Sequence, residues 1–313
     1  MKRNKLASLI LVGVLALSLA ACGSGSTETE GDNPAAGLTG TIAIDGSSTV
    51  FPITEAIAEE FNGTYPEVRI PIGVSGTGGG FKKFVAGETD ISNASRPIKD
   101  EEAQAAAAAG IEYIEMTIAY DGLSILVNPA NDWVDSLTVE ELNMMWAPDS
   151  TVKKWSDIRP EWPNEEIKFY APGTDSGTFD YFTEEINGES GAIRPDFTAS
   201  EDDNVLVQGI AGDKNAIGFF GYAYYEENQD KLKLVAIDNG SGPVTPNFDT
   251  IQDGSYSPLS RPIFIYINKA ALEKPEVVEF VTFYNTIAEE IIPEVGYVAL
   301  PSVDYQANLE LLK

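Results

Sequence analysis

Two long β-rich runs constrain this chain more than anything else in it. MTIAYDGLSILVN (Met116 to Asn128) and LSRPIFIYIN (Leu259 to Asn268) are its most convincing strands, and each is interrupted once by a polar residue or a proline. Runs of this kind read as crossings between two lobes, with Asp121 and Arg261 as hinge residues at the breaks. The outer segments, 39–120 and 260–313, then form one lobe, the middle segment, 121–259, forms the other, and a cleft lies between them.

Short β-rich runs alternate with helical patterns through both segments, which predicts an α/β protein with largely parallel sheets. Thr41 to Ile44 reads as the first strand. It leads into a helix whose Ile53, Ile57 and Phe61 fall at i, i+4 and i+8 on one face, with Ser48 or Thr49 as its cap. Val68 to Val74 reads as a second strand, followed by a short helix with Phe81, Phe84 and Val85 inward. Asp100 to Ala109 is an alanine-rich helix stopped by Gly110. Thr138-Val139-Glu140-Glu141 is a capping box opening a helix to Trp146. Ile167 to Tyr170 is expected to be a strand, Ala216 to Tyr225 a strand turning into a helix, Pro275 to Glu289 an amphipathic helix with Val278, Val281 and Tyr284 along it, and Val295 to Leu300 a late strand. No repeat of solenoid length is visible. Trp146, Trp155 and Trp162, and Tyr222, Tyr224 and Tyr225, are expected mainly to pack rather than to face a partner.

The N-terminus is a different object. Lys2, Arg3 and Lys5 precede a mostly apolar run from Leu6 to Leu19, and Leu19-Ala20-Ala21-Cys22 follows. This reads as an export signal over 1–21, too short for a membrane span, ending in a sequence that resembles the lipobox of bacterial lipoproteins. Cys22 is the only cysteine, so no disulfide uses it; acylated, it becomes an anchor, and paired acyl chains hold where one is marginal. Residues 22–38 are rich in glycine, serine, threonine and acids, with almost nothing to bury, and are expected to be a flexible tether.

Charge and composition exclude several functions. The net charge of −29 becomes −32 once the signal takes three basic residues and no acidic ones with it. Nucleic acid is a poor partner for such a surface, and long-range steering of an anion is disfavoured. Histidine is absent. No Ser-His or Cys-His pair and no His-ligated metal site can form.

Four loops nevertheless share a design suited to anions: a strand end, small hydroxyl or glycine residues, then a helix start. They are GSSTV (Gly46 to Val50), SGTGGG (Ser75 to Gly80), SNASRPI (Ser92 to Ile98) and TDSGTF (Thr174 to Phe179). Helix N-termini carry unpaired N–H groups and partial positive charge, and such loops gather at the carboxyl ends of the strands in open α/β sheets. SGTGGG lacks both the Walker ending and the dinucleotide fingerprint.

Those loops, together with AIGFFGYAYY and LSRPIFIYIN, resemble the phosphate-binding lipoproteins of high-affinity phosphate ABC transporters, within the type II periplasmic-binding-protein fold. The resemblance spans about residues 39 to 305. It implies a two-lobed clamp, inorganic phosphate as ligand, delivery to a membrane permease, and no cofactor, metal or catalytic residue. It places phosphate contacts at Ser48, Thr49, Thr77, Gly78, Ser95, Arg96, Ser176, Gly177 and Thr178. Many relatives carry an acid where Ser95 stands and an arginine where Pro172 stands; here the arginine is on the first loop and the acid, Asp175, on the other. Arg96 is therefore expected to supply the cation, in fork geometry that lysine cannot copy. Asp175 is expected to accept the hydrogen that phosphate keeps and sulfate lacks. A monomer anchored to the outer face of the membrane is expected. The alternatives are the same clamp holding sulfate, molybdate or tungstate, a surface hydrolase using paired carboxylates, or an adhesin or signalling lipoprotein that has lost the ligand.

Overall fold

The computed structural model describes residues 37–174 and 176–313. The export signal, Cys22 and most of the tether lie outside the described residues, as does Asp175. Among the described residues no helix is long and apolar enough to cross a membrane.

The long strand Tyr113–Val127 organises the fold. It pairs antiparallel with the return strand Ser260–Asn268, from Gly122 opposite Ser260 to Tyr113 opposite Asn268, with one irregularity at Ile263/Phe264. These two strands sit at the middle of a ten-stranded sheet. On one side follow Ile91–Ala94, Ile44–Gly46 and Ile72–Val74; on the other, Ala216–Gly221, Lys168–Pro172 and Thr198–Ser200. The outer strands pair parallel, as expected of crossover units. The expectation of largely parallel sheets fails in the middle, where every pairing of the long strand is antiparallel. Both long runs span the sheet's centre, and the chain's return direction sets their sense.

Helices take their places by burying the faces that the sequence predicts. Phe51–Thr64 hides Ile53, Ile57 and Phe61 completely, and Phe61 meets Phe280 edge-on at 5.3 Å between ring centroids. Thr138 caps Val139–Trp146 through its side chain, and Glu141 reaches back to the Thr138 N–H, so the capping box forms. Trp146, Trp155 and Trp162 are buried, Trp146 against Phe169, Phe182 and Phe219.

Several boundaries differ from expectation. Neither Ser48 nor Thr49 caps the first helix: the chain enters it through Val50, with no side-chain cap bond, and Pro52 in the first turn needs no N–H partner. The Val68 to Val74 run splits into Val68–Arg69 and Ile72–Val74 around Pro71, which cannot donate to a ladder. The glycine run is not a lead-in but part of the helix Gly76–Val85, where Phe81 and Phe84 are buried and Val85 half-buried. Pro275–Glu294 buries Val277, Phe280, Val281 and Tyr284, while Val278 points outward at 36% exposure. The late strand is only Val298–Ala299.

The apolar interior divides along the chain. One cluster draws on residues from Ile42 to Ala119 and from Ile263 to Tyr305. A second draws on Leu123 to Leu259 with Val298. Tyr120 packs against both.

Candidate functional site

The first anion-type loop is set by Gly46. Its φ of +146° is open to glycine, and a Cβ there would fall 2.1 Å from the Asn93 carbonyl oxygen. The loop is thereby pressed onto the strand Ile91–Ala94, with the Ser47 N–H donating to the Asn93 carbonyl at 3.0 Å. Gly80 approaches from the second loop, where a Cβ would lie 2.6 Å from the Gly46 Cα. Asp45, buried at the end of the preceding strand, ties the two loops by accepting from the Ser75 hydroxyl and from Lys83. Burial pushes the Asp45 carboxyl up, but its bonds from Lys83 and Ser75 outweigh that and hold it below the usual range.

The second and third loops are bonded to each other. Thr77 Oγ1 and Ser95 Oγ are 3.0 Å apart, and the Ser95 N–H donates to Thr77 Oγ1 at 3.1 Å. Arg96 follows, its guanidinium 5.6 Å over the Phe81 ring. One edge is taken, since Nη1 and Nη2 donate to Glu102 Oε2 and Oε1. Nη1 also donates to the Pro97 carbonyl. The other edge, Nε with the second Nη2 hydrogen, makes no hydrogen bond among the described residues.

These three loops line one cleft of about 520 Å³. Of the residues singled out from sequence, Ser48, Thr49, Thr77, Gly78, Ser95 and Arg96 border it. Ser176, Gly177 and Thr178 border a neighbouring hollow of about 300 Å³ instead. The two spaces meet where Gly177 packs on Thr49, so tightly that a Cβ on Gly177 would lie 2.6 Å from the Thr49 Cα. Asp175 lies outside the described residues.

The helix Gly177–Asn187 supplies residues that sequence reasoning did not single out. Asp180, Tyr181, Glu184 and Glu185 face the same cleft. The Ser48 hydroxyl donates to Asp180 Oδ2 at 3.3 Å, and the Ser190 hydroxyl to Oδ1 at 2.7 Å. Burial raises the Glu185 carboxyl, against the pull of Arg261. Asp180 and Glu184 follow the TDSGTF loop at i, i+4 spacing, a signal that could have flagged one acidic helix face.

Arg261, read from sequence as a hinge residue, also lines this cleft. It lies opposite Asp121 in the strand register, and its Nε and Nη2 both donate to Asp121 Oδ2 at 3.3 Å. Asp121 is 2% exposed, and burial pushes its carboxyl up to about 6 although Arg261 pulls the other way. Among the described residues no group of histidine, cysteine, aspartate and glutamate side chains could hold a metal ion.

A family model described as a PBP superfamily domain matches residues 31–286. The chain is 46% identical to protein SphX of Synechocystis over 95% of its length and 86% of that protein's. It is 44% identical to the phosphate-binding protein PstS of Staphylococcus saprophyticus, covering 97% of this chain and 92% of the other. Among solved structures, a possible phosphate binding protein from Planctomyces limnophilus superposes with a TM-score of 0.84 at 50% identity, over 88% of this chain and 98% of that one.

Proposed function

The chain belongs to the PBP superfamily, in the family of the phosphate-binding protein PstS, and on that footing we propose that it captures inorganic phosphate outside the cytoplasm and delivers it to the permease of a phosphate ABC transporter. The observation that carries this reading is the meeting of three hydroxyl- and glycine-bearing loops, with Arg96, around one cleft.

Capture needs no chemistry. The Thr49 hydroxyl, one hydroxyl of the Thr77–Ser95 pair and, once it leaves Asp180, that of Ser48 offer donors, with backbone amides around Gly78; the open edge of Arg96 offers two parallel ones. A local site of this kind outweighs the net charge of −32 left once the signal is removed, because distant charges are screened by salt within about 10 Å. Ser176, Gly177 and Thr178 come to the ligand from the far side of Thr49 when the cleft closes. The two core clusters then act as the two lobes, 39–120 with 260–313 and 121–259, and phosphate favours the closed arrangement by touching both. Asp175 is the acceptor for the proton that phosphate retains. Sulfate offers no such hydrogen and meets repulsion there.

The protein works as a monomeric receptor rather than an enzyme, held to the membrane by lipid on Cys22. Cys22→Ser should move it from the membrane to the soluble fraction; retention in the membrane would refute the anchor. For the ligand, the decisive experiment is a calorimetric and thermal-shift series with phosphate, sulfate, molybdate and tungstate at two pH values. Phosphate should bind tightest, and a stronger response to any of the others would overturn the reading.

A further inference from the structure

Arg261 is mostly buried, its side chain 16% exposed, yet it borders the ligand cleft. Three neighbours fix it. Asp121 takes Nε and Nη2. Thr49 Oγ1 accepts from Nη2 at 3.2 Å. The Tyr181 ring lies under the guanidinium at 3.6 Å, with its own hydroxyl anchored to the Pro258 carbonyl at 2.7 Å. These contacts leave Nη1 with both hydrogens unbonded among the described residues. A guanidinium with a stacked face and one edge saturated, on a residue that lines a polar cleft, is held in place before any ligand arrives.

We propose that Arg261 is a second cationic contact for the ligand, with Nη1 donating to an oxygen of the bound oxyanion beside Thr49. The inference rests on the phosphate reading above and adds a residue that the resemblance did not assign. Its chemistry complements that of Arg96. Arg96 is compensated by Glu102 across a full two-bond edge, whereas Arg261 shares a single oxygen of Asp121 through two long bonds. More of its charge is left for a guest. Its position matters as well: Arg261 and Asp121 are partners on the two long central strands, Thr49 belongs to the segment of the first core cluster and Tyr181 to the second. A ligand bound to Arg261 therefore touches the residue where both halves and both crossing strands meet.

The test is titration calorimetry of the mature protein with inorganic phosphate, for wild type, Arg261→Gln and Arg261→Lys, with thermal midpoints measured without and with phosphate. The glutamine variant should bind at least tenfold more weakly, the lysine variant should recover part of the loss, and the phosphate-induced rise in midpoint should shrink. A purely structural arginine would lower both midpoints together and leave the rise and the dissociation constant unchanged, which would overturn the inference while the phosphate reading stands. Failure of the wild type itself to bind phosphate would instead sink that reading. Should the glutamine variant not fold, a crystal structure of the wild-type protein with phosphate decides: Nη1 within hydrogen-bond reach of a phosphate oxygen supports the contact, and a separation beyond it overturns it.

Discussion

Arg96 gives one edge of its guanidinium to Glu102, Nη1 to Oε2 and Nη2 to Oε1, each at 2.8 Å. The same carboxylate accepts the Lys99 N–H at 2.9 Å and so closes the start of the helix Asp100–Ala108. Arg96 is thus positioned by the helix that follows it, and Glu102 is a fixed anion near the cleft. Glu102→Gln keeps an acceptor for the helix start and removes that charge, so phosphate should bind severalfold more tightly. Arg96→Lys removes the second parallel donor; a lost charge-assisted bond is worth about 1.5–3 kcal/mol, or roughly tenfold to hundredfold in affinity. Calorimetry reads both, and equal constants in all three proteins would remove Arg96 from the contact set.

Gly177 offers a steric test of closure. An alanine there places a methyl 2.6 Å from the Thr49 Cα and 3.0 Å from its amide nitrogen, backbone that cannot swing aside. Gly177→Ala should weaken phosphate binding by more than tenfold and, because Gly177 already packs on Thr49 here, also lower the unliganded thermal midpoint. Unaltered affinity would mean that the Thr49 and Gly177 loops need not touch in the liganded form.

Discrimination between phosphate and sulfate should separate two aspartates. Asp175→Asn should narrow the preference for phosphate, because an amide no longer repels sulfate at that position. Asp180 already accepts from Ser48 and Ser190, so Asp180→Asn should change the ratio little. Competition titrations with both anions check this, and a ratio that collapses only in the Asp180 variant would transfer the role.

Asp121 makes stability depend on pH in a defined direction. Its carboxyl, pushed by burial from its ordinary 3.8 to about 6, holds a proton in the folded chain that the unfolded chain has already released. The stability it contributes is full below about pH 4 and is lost as pH rises through 6, by about 2 to 3 kcal/mol on the scale of 1.36 kcal/mol per unit. Asp121→Asn has no proton to lose. The difference between wild-type and variant unfolding free energies, measured by denaturant from pH 4 to 7, should fall by that amount; parallel curves would show that Asp121 does not titrate there.

How far the chain could be read in advance follows from the range of each interaction. The face of Ile53, Ile57 and Phe61 and the capping box of Thr138 and Glu141 were legible because their partners lie within one or two helical turns. The run Val68 to Val74, expected as one strand, is split at Pro71, which has no N–H for the ladder. At the candidate site, hydroxyl and glycine loops announced themselves one by one. Nothing local told that Arg261 would stand beside Thr49, 212 residues away in sequence, or that Asp180 would take Ser48 across 132.

By itself, then, the amino-acid sequence determined the helical faces, the loop chemistry and the absence of histidine-based reactions, since period, backbone freedom and side-chain type are properties of neighbouring residues. Only the tertiary structure decided which loops share a cleft, that the central strands run antiparallel, and that Arg261 is a half-buried arginine at the cleft whose Nη1 has no hydrogen bond among the described residues. Those outcomes depend on the path of the chain between distant segments, where packing and the register of Tyr113–Val127 against Ser260–Asn268 select one arrangement among many that the same local patterns allow.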